Sequence, residues 1–474
     1  MNTSIKLAKQ VCTIGPKSEK KEMMQELVKS GMNVIRLNFS HGDFEEHGAR
    51  IKTIREINKE LGTHVAILLD TKGPEIRTHL FENGGVDLVK GNTVSIMMEE
   101  VLGTAERFSV THSELTGDVK VGGTILLDDG YVELTILDIK PGEIICEIVN
   151  NAFIKDRRGV NVPGAVLSMP FLSEKDKNDI IWGCQQGVDF VATSFTRRPE
   201  DVIEVRELLA ANGSKNIQII PKIENQESVD KIKEIIKVSD GIMVARGDLG
   251  VEVPAEDVPV IQKSIIRECI TAGKTVITAT QMLESMQKNP RPTRAEVSDV
   301  ANAVFDGSDA VMLSGESAAG DYPQESVATQ AAITTRAQKE ISYKRLSSYA
   351  IAGMEGTIEG TIGFSVISAV NALNVGAVVT ITRSGKSARI ISKFRPGVPV
   401  IALVPSEEVA RSLALNWAVI PVITDLERAT HELYEEGIKL AKKECGLTEG
   451  SHIVITAGIP KGFGHTNTMH IRKI

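Results

Sequence analysis

Residues 217–250 read IQIIPKIENQESVDKIKEIIKVSDGIMVARGDLG, and this stretch decides the fold. Two short apolar runs, Ile217–Ile220 and Gly241–Ala245, have the length and branching of buried strands. Each run stops on charge, the first at Lys222 and Glu224, the second at Arg246 and Asp248. Between them Val229, Ile232, Ile235, Ile236 and Val238 recur at helical spacing, with Lys and Glu filling the other face. A strand-helix-strand unit makes the two strands parallel neighbours, so both charged ends lie at one edge. Side chains two apart on a strand share a face, which pairs Lys222 with Glu224 and Arg246 with Asp248. Two carboxylates and two cations at one rim suit a divalent metal holding a phosphorylated, anionic substrate. For a single strand, a solvated polar end is the plainer explanation. Repetition along the chain has to decide.

It does repeat. Strand-like runs ending on polar residues also occur at Val11–Ile14, Asn33–Ser40, Val65–Leu69, Asp189–Phe195, Thr275–Gln281 and Asp309–Glu316. With the first two runs they make eight strands alternating with helices. That pattern predicts a (β/α)8 barrel with its active site on the C-terminal rim, where the polar residues fall. From about Thr78 to Arg157 the rhythm breaks into Gly-marked turns and short alternating runs, read as an inserted small β-barrel domain. Past Ser347 new α/β units begin, with buried strands at Ala377–Ile381, Val400–Val404 and His452–Thr456, read as a C-terminal open α/β sheet domain. The expected division is 1–72 with 158–345 for the barrel, 73–157 for the insertion and 346–474 for the last domain.

Composition narrows the partners. Hydrophobic content of 42% and charged content of 24% over 474 residues are those of a soluble globular protein. A net charge of −8 argues against nucleic acid or an anionic membrane as the main partner. The N-terminal residues lack an apolar run of signal-peptide length, and the five scattered cysteines, without CxxC spacing, fit reduced thiols in the cytoplasm.

Other motifs keep two readings open. Arg294, Glu296 and Asp299 either line the rim or form a capped, solvated helix start. Thr382-Arg-Ser-Gly-Lys-Ser387 follows a strand and opens a helix, as a phosphate nest or as a plain capped helix start. It lacks the first glycine of a Walker A loop, since position 380 is Thr. The basic 460–466 loop could fold over the same phosphate. His41 and His79 have no second histidine spaced to join them in a metal site.

At this point the chain resembles the pyruvate kinase family of the bacterial type, end to end. The matching strings are CTIGP (12–16), MNVIRLNFSHG (32–42), LLDTKGPEIR (68–77), GVNVPG (159–164), SEKD (173–176), PKIEN (221–225), IMVARGDLGVE (242–252), ITATQML (277–283), NPRPTRAE (289–296) and DAVMLSGESA (309–318). The resemblance implies phosphoryl transfer from phosphoenolpyruvate to ADP. It implies that Glu224 and Asp248 hold Mg²⁺, for which Mn²⁺ can substitute, and that Lys222 stabilises the phosphoryl group in flight. Arg36 would clamp the phosphate, Gly247 and Asp248 backbone N–H groups the carboxylate, and Thr280 would face the enolate where it is protonated. Asn38, Ser40, Asp70 and the Thr71 carbonyl match the family's K⁺ site, and Glu75 agrees with K⁺ dependence. Asn38, Phe39, Ser40, His41 and Arg77 match nucleotide contacts. Arg158 stands where many relatives have Lys. Thr382, Arg383, Ser384, Gly385, Lys386 and Ser387 look like the family's sugar-phosphate effector loop, and family likeness implies a homotetramer. The chain stops at Ile474, so the extra C-terminal domain of some bacterial relatives is expected to be absent.

Two other classes compete. A metal-dependent aldolase or lyase acting on pyruvate enolates would share the Glu/Asp pair and Arg36. It gives no reason for Lys222, the potassium set or a nucleotide-covering insertion. A catalytically silent metabolite sensor would be expected to lose Lys222, Glu224, Asp248 or Arg36, and all four are present.

Overall fold

The computed structural model describes residues 5–354, 356–459 and 465–474. Eight parallel strands close into a barrel: Lys9–Thr13, Val34–Asn38, Ala66–Asp70, Phe190–Thr193, Gln218–Ile223, Gly241–Ala245, Thr275–Ala279 and Ala310–Leu313. Each pairs with its neighbours in chain order, and the last returns to the first through Lys9 opposite Ala310. Almost every strand residue is buried, because one face fills the barrel and the other packs under the helices. Val34, Leu68, Phe190, Ile220, Met243 and Ile277 fill the interior, together with Ala414 and Leu415 of the C-terminal region. The barrel is thus a packed core, plugged from below, and only its upper rim is available for chemistry.

The helices form where the apolar stripes predict them, with local stops that the sequence explains. Phe44–Leu61 starts on Asp43, whose side chain accepts from Glu46 N, and ends on Gly62 at φ 64. Glu174–Gln186 opens with a capping box between Ser173 and Asp176. The expected single helix after Glu224 is two pieces, Gln226–Asp230 and Ile232–Val238, broken at Lys231. Its first turn is capped by Asn225, so the polar strand end also begins the helix.

The insertion carries a seven-stranded sheet in the order Ile76–Arg77, Gly159–Asn161, Thr124–Leu127, Val132–Lys140, Glu143–Ile148, Thr93–Met97, Arg107–Ser109. Its two edges meet at a bridge between Thr78 and Val110, which curls it toward closure. Its core, including Ile96, Phe108, Ile125 and Leu134, is separate from the barrel's. The C-terminal sheet runs Val419–Ile423, Val400–Val404, Val375–Ile381, His452–Ala457, Thr468–Lys473, parallel except for the last strand. Two of these strands escaped the hydrophobic pattern. Val419–Ile423 carries Pro421, which an edge position tolerates, and Thr468–Lys473 is a mostly exposed polar edge. Among the described residues no helix is long and apolar enough to cross a membrane. All five cysteines are free thiols.

Candidate active site

The rim is built around the end of the fifth barrel strand. Lys222 and Glu224, two apart, point the same way, and the lysine ammonium lies 2.8 Å from Glu224 Oε1. The same ammonium donates to Ser194 Oγ at 2.8 Å and stands 3.5 Å from Asp70 Oδ1. Asp70 in turn accepts from Arg36 Nε at 2.6 Å, and Arg36 donates to Thr13 Oγ1 at 3.0 Å. Five strand ends therefore feed one connected network, and Asp70 and Glu224 are fully buried in it.

Burial alone would drive the Lys222 ammonium to lose its proton. Asp70, Glu224 and Asp248 outweigh that cost and hold its pKa above the ordinary lysine value. Burial would also raise Asp70, but Arg36 and Lys222 hold it below the usual carboxylate range. Glu224 moves the other way, pushed up by burial and by Asp248 against the pull of Lys222. Both partners of this ion pair are thus raised, which favours the charged ammonium and disfavours the charged carboxylate. The ammonium, flanked by two carboxylates, keeps its proton, and the crowding of negative charge is felt at Glu224. Glu224 Oε2 accepts from Phe195 N at 2.6 Å. Oε1 is buried and, although close to Lys222, accepts no well-directed hydrogen bond. A buried carboxylate oxygen left in this way beside a second acid fits a bound cation. Among the described residues no group of three or more His, Cys, Asp or Glu is arranged to hold a metal ion. Two protein carboxylates would leave the remaining positions to substrate and water.

Three non-glycine residues at the strand ends have left-handed backbone: Phe195 at φ 53, Thr280 at φ 70 and Gln281 at φ 53. For β-branched Thr280 this is a costly conformation, and such strain gathers at functional sites. What holds it is visible. Arg246 donates to the Thr280 carbonyl at 2.7 Å and pairs with Asp299, while Gly247 N donates to Thr280 Oγ1 at 2.7 Å. Thr280 Oγ1 itself donates to the Ala279 carbonyl at 2.6 Å.

These contacts correct one expectation. Arg246 does not pair with Asp248, because the chain turns from strand into the helix Arg246–Glu252 and ends the two-residue alternation. The Gly247 N–H, expected to receive a substrate carboxylate, donates to Thr280 Oγ1 here. Of the two readings for Arg294, Glu296 and Asp299, Glu296 takes the capping one, boxed with Thr293 and accepting from Ser285. Asp299 belongs to the Arg246 brace.

Beside the network, Asn38 Oδ1 accepts from Ser40 N at 3.1 Å, and the Thr71 carbonyl accepts from Ser194 Oγ at 2.6 Å. Asn38, Ser40, Asp70 and Thr71 thus offer amide, hydroxyl, carboxylate and carbonyl oxygens, a donor set for a hard cation. Phe39 lies under His47 in a stack at 4.1 Å, and Lys175 donates to its carbonyl at 2.9 Å. His41 is exposed and gives its carbonyl to His47. Arg77 pairs with Glu75 and donates to the Arg157 carbonyl, and Arg158 lies 3.4 Å from Asp128. The insertion leans over the rim here. Asn161 donates to Glu252 at 2.8 Å, and a cavity of about 220 Å³ between the two bodies is lined by Glu75, Asp129, Asn161, Phe195 and Asp248.

In the C-terminal domain, Thr382, Arg383, Ser384, Lys386 and Ser387 line a cavity of about 230 Å³ with His465 and Thr466. Gly385, at φ 80, is the N-cap of the helix Lys386–Lys393, and no side chain caps it, so the plain capped-helix reading of this loop fails. Lys386 and His465 both reach Glu359, which Lys386 chiefly holds down at about 2. Of the 460–466 loop, residues 460–464 lie outside the described residues.

Sequence reasoning passed over Ser194, Lys175 and Thr13. Ser194 sits in a run, Ala192–Phe195, that reads as strand. Its polar role appears only when three strands bring Asp70, Thr71 and Lys222 around it.

Comparison with known proteins adds the following. The family "Pyruvate kinase, barrel domain" matches residues 5–327, and "Pyruvate kinase, alpha/beta domain" matches 360–472. A pyruvate kinase of Staphylococcus saprophyticus is 53% identical over 467 residues, 98% of this chain and 80% of that one. One of Bacillus licheniformis is 52% identical over 97% of this chain and 79% of its own. The crystal structure of a pyruvate kinase from Cryptosporidium parvum superposes with a TM-score of 0.95 at 38% identity, covering 98% of this chain and 96% of that one.

Proposed function

The chain belongs to the pyruvate kinase family and is a phosphotransferase, and from that premise we propose how its residues divide the work. The reaction is transfer of the phosphoryl group of phosphoenolpyruvate to ADP. The bond between enol oxygen and phosphorus breaks, a bond from phosphorus to the terminal ADP oxygen forms, and the enolate left behind takes a proton at carbon to give pyruvate. Such transfers depend on positioning and charge neutralisation more than on covalent help from the protein.

The observation that carries this reading is the Lys222 ammonium, held charged between Glu224 and Asp70 beside Arg36. A lysine that keeps its proton serves as a fixed positive charge for the phosphoryl group in transit and is a poor proton donor. Arg36, braced by Asp70 and Thr13, is preset to clamp the phosphate. Glu224 and Asp248 would hold Mg²⁺, whose positive charge would neutralise the substrate's phosphate and carboxylate oxygens. Asn38, Ser40, Asp70 and the Thr71 carbonyl would hold K⁺, with Glu75 beside them. Thr280, fixed by Arg246 and Gly247, faces the enolate. Its hydroxyl proton is committed to the Ala279 carbonyl, so protonation at carbon would run through water. The backbone N–H groups of Gly247 and Asp248 would orient the substrate carboxylate, and Asn38, Phe39, Ser40, His41, Arg77 and Arg158 the nucleotide under the inserted lid. The 382–387 loop would take a sugar-phosphate effector, and the enzyme would act in the cytoplasm as a homotetramer.

The test is pyruvate formation from phosphoenolpyruvate and ADP with Mg²⁺, with and without K⁺ and with a fructose 1,6-bisphosphate titration. Turnover that needs K⁺ is expected, with a leftward shift in the phosphoenolpyruvate curve on adding the sugar phosphate. Lys222→Met should lower kcat on the order of a hundredfold to a thousandfold with a small change in KM. A Lys222→Met enzyme with wild-type kcat would overturn the assigned role.

A further inference from the structure

A large basic hollow lies away from the rim. It measures about 870 Å³ and opens between the lower ends of the barrel strands and the C-terminal domain. Lys215, Lys274, Arg55 and Arg389 line it, with Asp189, Asp240 and Glu408. The acids there already have partners. Asp189 takes Arg411 at 2.9 Å and Ile67 N at 2.9 Å. Asp240 takes Arg206 at 2.9 Å and Ile219 N at 2.9 Å, and Glu408 takes Asn216 at 2.8 Å.

The cations do not. Arg389 donates to the Ser384 carbonyl at 3.0 Å and to Ser412 Oγ at 2.9 Å, and its buried Nε has no hydrogen-bond partner. Among the described residues Arg55 donates only to the carbonyls of Gln186 and Gly187, and Lys274 only to the Ser239 carbonyl at 2.5 Å. Lys215 makes no ion pair among the described residues. Burial disfavours the charged forms of Arg389, Arg55 and Lys274, so all three sit below their ordinary values. Cations gathered at a hollow with carbonyls for company form a site waiting for negative charge. The volume falls within the range of small-molecule sites and exceeds what inorganic phosphate would fill.

We infer that this hollow between barrel and C-terminal domain binds a phosphorylated small molecule, its phosphate held by Lys215, Lys274 and Arg389. Arg383 and Ser384 line both this hollow and the 382–387 cavity, so a ligand here touches the back of that loop. The binding itself does not depend on what the loop takes.

The test uses the full chain and pyrophosphate as the probe, titrated calorimetrically. Pyrophosphate can also enter the rim and the 382–387 loop, so three proteins are compared at saturating phosphoenolpyruvate: wild type, Lys215→Met/Lys274→Met, and Lys386→Met. Lys215 is exposed and outside the core, so Lys215→Met alone serves as a second variant without risk to folding. One binding component is expected to weaken about tenfold or more in the double variant, to weaken in the same sense in Lys215→Met, and to persist in Lys386→Met. Pyruvate formation without effector should be unchanged in Lys215→Met and in Lys215→Met/Lys274→Met. Isotherms of Lys215→Met/Lys274→Met that match wild type would overturn the inference, as would loss of all pyrophosphate binding in Lys386→Met.

Discussion

His47 shows how a single residue supports the rim without touching it. It is buried, stacks on Phe39, and shares a hydrogen bond with the His41 carbonyl through Nε2. Burial, helped by the nearby Arg50 and Lys175, pulls its pKa down to about 4 against the opposing pull of the His41 carbonyl. As pH falls, the unfolded chain therefore takes up this proton near 6.5 and the folded chain only near 4. The stability that neutral His47 contributes is complete above about pH 6.5 and is lost as pH drops from there toward 4. Thermal midpoints of wild type and His47→Gln at pH 7.5 and 5.0 check this. The wild-type loss on acidification should exceed the variant's by the equivalent of about 1–2 kcal/mol. Equal losses would remove His47 from the account. Charged residues at strand ends were readable in advance because alternation fixes their face, as with Lys222 and Glu224. Ser194 and the Arg246–Asp299 brace were not, because their meaning depends on neighbours dozens to hundreds of residues away, and His47 was not, because Phe39 and His41 meet it only through the folded turn before its helix. Arg246 was misread for a local reason, since one residue of helix is enough to cancel strand alternation.

At the scale of elements, the lower end of the barrel repeats a device. Asp189, Asp240 and Asp309 each stand at or just before the start of a strand, and each accepts a backbone N–H from the preceding strand's first residues or a neighbour. Each also takes an arginine: Arg411 and Arg395 from the C-terminal domain, Arg206 from a barrel helix. Arg395 and Asp309 are both about 2% exposed, with 2.7 Å between them, and Trp417 N joins Asp309 from the same side. The eight strands could be counted from periodicity, but this floor could not, because two of its three arginines, Arg395 and Arg411, arrive from the far end of the chain. Removing one partner of a buried pair strands the other charge. Arg395→Met should therefore cost about 3–5 kcal/mol. Asp309→Asn/Arg395→Met should cost less than the sum of the two single changes, a coupling of about 1–3 kcal/mol. Midpoints of thermal unfolding for the four proteins close the cycle. Additive losses would show that the pair is incidental to docking.

Across the whole molecule, the cores say which parts stand or fall together. Barrel and C-terminal residues belong to one continuous core that includes Ile35, Ile266, Val378 and Trp417, and Ala414 and Leu415 plug the barrel interior. The insertion keeps its own core around Ile96, Ile125 and Leu134, and reaches the rim through polar contacts such as Asn161 to Glu252. A body with a private core and a polar seam is free to move as a lid over a rigid barrel, which suits a site that must admit and then cover a nucleotide. Separate cores also imply separate melting. Scanning calorimetry of the full chain should show two transitions, one for the insertion and one for barrel and C-terminal domain together. Each can be assigned by a core substitution confined to it. Ile125 is fully buried in the insertion, so Ile125→Ala should cost that body about 2–5 kcal/mol and lower its transition alone. Arg395→Met should lower only the other. If either substitution moved both transitions together, or the heat absorption were a single peak in all three proteins, the insertion would share the stability of the barrel. Motion over the rim would then have to come from within a single cooperative unit.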